Sequence, residues 1–140
     1  METYFSANPR ATKKLAGGWA ASLRPGEIVA LIGELGAGKT VFTQGLAAAL
    51  GVQKNITSPT FTLLKIYPAR RQGIKRLVHI DAYRLKTSAD LDSTGWLDYL
   101  DDPAGLVVVE WADKIKHPRL RRARIVRLAV QGQGRLISFS

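Results

Sequence analysis

The chain has 140 residues, 46% of them apolar, and no cysteine; this accommodates one domain, excludes disulfides, thiolate metal sites and cysteine nucleophiles, and fits a cytoplasmic protein. No run of about 18 apolar residues exists to span a membrane, and the first ten residues lack the basic-then-apolar layout of a signal peptide, so no membrane partner is expected. The formal charge of +10 attracts polyanions such as nucleic acid, acidic proteins or nucleotides.

In chain order, Leu15, Ala16, Trp19, Ala20 and Leu23 recur at helical spacing, which predicts an amphipathic helix over residues 8–23, weakened by Gly17 and Gly18. Residues 27–32 form a short apolar run bounded by turn signals, as expected of a strand buried on both faces. A second helix is predicted over residues 38–50, stopped by Gly51. Residues 60–67 and 76–80 read as a hairpin whose loop holds Pro68 and Gly73. Residues 106–109 form another central strand, and residues 124–130 and 135–139 the last two. The fold class expected is α/β, a layered domain in which helices flank a largely parallel central sheet with antiparallel additions. Five acids (Asp90, Asp92, Asp98, Asp101 and Asp102) crowd one stretch, and basic residues gather at residues 70–76 and 114–127. A solvated surface explains such clusters as well as an anionic partner does.

Between the first strand and the second helix lies Gly33-Glu34-Leu35-Gly36-Ala37-Gly38-Lys39-Thr40. The spacing G-x-x-x-x-G-K-T is that of a Walker A phosphate loop. Its glycines let the backbone curl so that N–H groups converge on an anion, and the following helix adds its positive end. Lys39 supplies a compact charge to the β- and γ-phosphates, and the Thr40 hydroxyl is a ligand for Mg2+. Two apolar runs end in an acid, residues 77–80 at Asp81 and residues 106–109 at Glu110. Carboxylates at such strand ends can serve a metal or an attacking water, or can simply cap the next segment.

Several ordered blocks together resemble the TsaE (formerly YjeE) family, the ATPases of tRNA threonylcarbamoyladenosine biosynthesis. They are the phosphate loop, Thr57-Ser58-Pro59-Thr60-Phe61, His79-Ile80-Asp81-Ala82-Tyr83-Arg84-Leu85, and the pair Glu110-Trp111, with Thr12 where the family has a threonine in its first helix. The resemblance implies a P-loop NTPase fold and a weak Mg2+-dependent ATPase. It also implies action beside a transferase and its companion subunit, which place a threonylcarbamoyl group on the tRNA adenosine next to the anticodon. By the same likeness Lys39, Asp81 and Glu110 are the catalytic set, and Thr40, Glu110 and Asp81 the metal set. Thr12, residues 34–41 (Glu34 and Val41 included), Ser58, Thr60 and Trp111 are the nucleotide contacts. Glu34 and Val41 replace the family's usual Asp and Thr, just outside the groups that must touch phosphate.

Other readings of single residues stay open. Trp111 can be core; His79 can be packing; Tyr83 and Arg84 can cap a helix or meet a partner; residues 57–60 can be a turn. Residues 88–99 depart from the family pattern, and the basic stretch at 114–127, which could face tRNA, is not assigned by it. A stand-alone small-molecule kinase and a non-hydrolysing nucleotide switch are the rival functions. A GTPase is disfavoured because no Asn-Lys-x-Asp base-reading segment occurs.

Overall fold

In the computed structural model, which describes residues 2–57 and 63–140, the two continuous apolar runs become adjacent central strands. The strands on either side of them are longer, eight residues each, and partly exposed. The elements are β1 (Glu2–Ser6), α1 (Pro9–Ala20), β2 (Ile28–Ile32), α2 (Lys39–Ala49), β3 (Leu64–Arg71) and β4 (Ile74–Asp81). After them come α3 (Ser88–Asp92), α4 (Leu97–Leu100), β5 (Gly105–Glu110), β6 (Arg124–Gln131) and β7 (Gly134–Phe139), with 3-10 turns at Ala112–Lys114 and Pro118–Arg122. Among the described residues the seven strands form one sheet in the order β1-β7-β6-β2-β5-β4-β3. The four inner strands β6, β2, β5 and β4 are parallel. β3 and the β7–β1 pair are antiparallel additions, which agrees with the expected class.

Burial on both faces explains why β2 and β5 are apolar throughout. On one face Leu31, Val108 and Leu128 meet Ala16, Phe42 and Leu46 from α1 and α2. On the other, Ala30, Val109 and Ile80 meet Leu91, Trp96 and Ile115. Helix α1 starts where Asn8 accepts the Ala11 N–H with its side chain at 2.8 Å, an N-cap that satisfies one of the first turn's free donors. Where α1 crosses α2, a Cβ on Gly45 would lie 2.5 Å from the Lys13 carbonyl oxygen. Gly45→Ala should therefore force the helices apart despite its better helix propensity. A loss of about 1–3 kcal/mol, the usual cost of overpacking, is expected as a lower denaturant midpoint.

The sequence places Pro68 in the hairpin loop, and the structure corrects this. Pro68 lies within β3, beside a break in register before Arg71. β3 is a sheet edge, where a missing N–H costs no ladder bond. The turn is Gln72-Gly73, both at positive φ (61° and 76°), as a tight two-residue hairpin requires. β1 and the short helices α3 and α4 are further elements that the sequence pattern does not reveal.

The acidic stretch serves local structure. Asp90 closes a capping box with Thr87 at the start of α3, and Asp92 accepts the indole N–H of the buried Trp96 at 2.9 Å and contacts His117 Nε2 at 2.8 Å. Asp102 accepts from Arg76 Nη2 at 2.8 Å and from the Ala104 N–H at 2.9 Å. The Arg76 guanidinium first, then the Ala104 N–H, hold its carboxyl down from the ordinary 3.8 to about 2. A carboxyl lowered on folding stabilises the native state above pH 3.8 and stops doing so as pH falls toward 2. Acid titration of Asp102→Asn should show that part of the pH dependence missing, alongside a lower stability at neutral pH.

Candidate nucleotide site

β2 delivers the chain to Gly33 against β6. A Cβ there would lie 2.5 Å from the Leu128 carbonyl oxygen, so only glycine lets the loop leave the sheet at this point. Gly36 and Gly38 then take φ of 82° and 96°, the left-handed region that a side chain disfavours. Gly38 caps α2 without any side-chain bond, and the helix has no acid in its first turn. Its positive end is consequently left for an external anion. From β7, Arg135 donates through Nη2 (2.9 Å) and Nε (3.2 Å) to the Gly36 carbonyl oxygen, pinning the loop from outside. The two residues are 99 positions apart, and no local pattern could have found this contact.

Lys39 is 6% exposed. Its ammonium donates to the Gly33 and Glu34 carbonyl oxygens at 2.6 and 2.9 Å and sits 3.8 Å over the Trp111 ring. Burial lowers its pKa from the ordinary 10.5, while Glu110, Asp81 and Asp113 pull it back up. Trp111 is half-buried; it packs against the core and also forms a wall of the site. Its φ of 61° is unusual for a side chain with a Cβ and costs about 1–2 kcal/mol. The Leu31 carbonyl, which accepts its N–H at 3.0 Å, helps to hold it there.

Asp81 and Glu110 are direct partners in the parallel β4–β5 register, and the next residue's N–H, Ala82, donates to the Glu110 carbonyl at 3.0 Å. The two side chains therefore leave the sheet side by side, on the face toward α2. Asp81 accepts the Tyr83 N–H at 3.0 Å. Glu110 is 3% exposed and contacts Nε2 of the fully buried His79. Leu35, Gly36, Gly38, Lys39, Thr40, Val41, Asp81, Glu110 and Trp111 all line one cleft of about 360 Å³, with Tyr83 at its rim. Lys114 covers Tyr83, its ammonium 4.1 Å from that ring.

Of the other expected contacts, Glu34 offers its carbonyl to Lys39, whereas the Ala37 side chain is buried in the core. Thr12 is not brought to the cleft: it is buried in α1, its hydroxyl hydrogen-bonded to that of Ser6 at 2.6 Å. Ser58 and Thr60 lie outside the described residues. The oxygen donors Thr40, Asp81 and Glu110 suit a hard cation. Among the described residues no group of three or more His, Asp or Glu could hold a metal unaided. That is compatible with Mg2+, which commonly rests on one or two carboxylates plus the phosphates that accompany it.

No helix among the described residues is long and apolar enough to cross a membrane. Residues 6–136 match the family described as Threonylcarbamoyl adenosine biosynthesis protein TsaE. Proteins named tRNA threonylcarbamoyladenosine biosynthesis protein TsaE align with the chain in several bacteria. That of Bacillus subtilis is 42% identical over 112 residues, 79% of this chain and 66% of the relative. That of Mycobacterium tuberculosis is 43% identical over 107 residues, 74% of this chain and 64% of the relative. That of Streptomyces coelicolor is 48% identical over 94 residues, 65% and 60%. The match thus spans just under two thirds of these relatives' lengths. The crystal structure of Bacillus subtilis YdiB superposes with a TM-score of 0.71 at 30% identity, covering 99% of this chain and 83% of that one. On this match, which runs almost from end to end, the chain belongs to the TsaE family.

Proposed function

We propose that the chain is a Mg2+-dependent ATP-binding and ATP-hydrolysing subunit required for threonylcarbamoyladenosine modification of tRNA. It acts with a transferase and that transferase's companion subunit, and meets tRNA through their complex. One observation carries this reading: a glycine-rich loop with an uncapped helix end faces two neighbouring strand-end carboxylates across a single cleft. Family membership supplies the process.

In this reading the loop N–H groups and the start of α2 cradle the phosphates, and Lys39 exchanges its two carbonyl acceptors for phosphate oxygens. Thr40 and Glu110 hold Mg2+, which when bound neutralises charge on the β- and γ-phosphates. Asp81 orients the attacking water or supports the metal, and Trp111 shields the site on the side of Lys39. By family likeness, Ser58 and Thr60 answer to the γ-phosphate.

The test is reconstitution with the transfer partners, threonylcarbamoyl donor, tRNA and ATP. Modified tRNA should require the chain, and ATP should yield ADP and free phosphate. A phosphorylated small acceptor in place of free phosphate would identify a kinase. Full modification by an Asp81→Ala chain that binds but does not hydrolyse ATP would identify a non-hydrolysing switch.

A further inference from the structure

Six polar or charged residues are buried among the described residues: Ser6, Thr12, Lys39, Thr43, His79 and Glu110. Four have evident local uses. Ser6 and Thr12 satisfy each other, Thr43 donates to the Lys39 carbonyl within α2, and Lys39 belongs to the phosphate loop. His79 and Glu110 remain, joined across β4 and β5. Burying an imidazole against a carboxylate is a poor route to stability, since apolar residues of similar volume usually do as well or better.

Strand parity shows what the pair does. His79 lies two residues before Asp81 on β4 and pairs with Val108, so it shares the α2 face with Asp81 and Glu110, one step deeper in the sheet. It is fully buried and does not line the cleft, whereas Glu110 does. A carboxylate can only accept, so Nε2 carries the hydrogen and donates to Glu110 Oε2. Nδ1 has no partner among the described residues, so the ring makes this one side-chain bond. With one oxygen tethered from below, rotation of the Glu110 carboxylate is restricted, and its second oxygen is the one left for the cleft.

We propose that His79 is a positioning residue, which holds Glu110 from beneath so that one carboxylate oxygen is presented to the divalent cation accompanying ATP. This rests on the proposed function. Partners of this kind typically change metal affinity by about 10- to 100-fold when removed.

The experiment is calorimetric titration of ATP into wild type, His79→Leu, His79→Asn and His79→Gln, each in EDTA and in Mg2+, with thermal unfolding followed in parallel. The glutamine amide reaches about as far as Nε2 and can donate to Glu110; the asparagine amide is too short. Affinity in EDTA should be within about twofold of wild type in every folded variant. The strengthening by Mg2+ should fall about tenfold or more in His79→Leu and His79→Asn and return in His79→Gln. Should leucine strand the carboxylate and unfold the chain, the asparagine and glutamine variants still decide the matter. Full Mg2+ strengthening in the asparagine variant, or none in a folded glutamine variant, would overturn the role of His79 alone. Wild type that binds ATP equally well with and without Mg2+ would instead overturn the metal site itself, and this inference with it.

Discussion

Lys39→Ala is expected to reduce ATP binding and turnover by about 100- to 1,000-fold, the usual consequence of removing a charge aimed at developing phosphate negativity. Among the described residues, Lys39 is the one ammonium placed against both the loop of residues 33–40 and the strand-end carboxylates. Its present partners are the carbonyls of Gly33 and Glu34 and the face of Trp111. The substitution leaves two carbonyls short of a donor, at about 1 kcal/mol each, but also relieves the burial of a charge. The two effects oppose each other, so the fold should survive while binding is lost. Thermal unfolding beside calorimetric titration separates these outcomes. A variant that stays folded and binds ATP like wild type would remove Lys39 from the phosphate site.

Glu110→Gln should lower hydrolysis by about 100-fold, with ATP binding in EDTA changed little, because it removes the proposed metal ligand and leaves the packing intact. Glutamine has the same shape, and its amide oxygen can still accept from His79, so the buried contact survives. Glutamate to alanine would add a structural loss by leaving the His79 ring unpaired in the core. The change also removes the strongest of the charges that raise the Lys39 pKa, so that ammonium should titrate lower in the variant. Phosphate release measured across Mg2+ concentrations, with nucleotide affinity measured separately, distinguishes loss of the metal from loss of ATP. Undiminished turnover at limiting Mg2+ would show that Glu110 holds no metal.

The parts of the site legible in the sequence are those whose signal is local. Residues 33–40 announce a phosphate loop because glycine spacing, a lysine and a following apolar helix fall together. Asp81 and Glu110 stand out because each closes a largely apolar run. Their adjacency depends on parallel pairing of β4 with β5, which no short window contains. The same holds for Arg135, which reaches Gly36 from the last strand. β1 escapes notice since four of its five residues are exposed and its pairing is with β7 at the other end of the chain. Pro68 misleads because proline is a turn signal in general, and only the edge position of β3 makes it tolerable in a strand. Trp111 can be read either way from sequence. Its left-handed backbone and its contact with Lys39 place it beside the phosphate loop.

The basic stretch at 114–127 is partly spoken for within the fold. Arg119 pairs with Asp101 at 3.0 Å, Arg124 donates to Ser22 at 2.9 Å and lies 4.7 Å from the Trp19 ring, and Lys114 donates to the Tyr83 carbonyl at 3.1 Å. Charge in this region therefore anchors the connection between β5 and β6 as well as contributing to the positive field.

The most direct measurement is calorimetric titration of ATP with Mg2+ into the wild-type chain and into Lys39→Ala, both verified as folded. Saturable one-site binding by wild type, weakened about 100-fold or more in the variant, is the predicted result. No binding by wild type, or equal binding by both proteins, would contradict a nucleotide site built on residues 33–40.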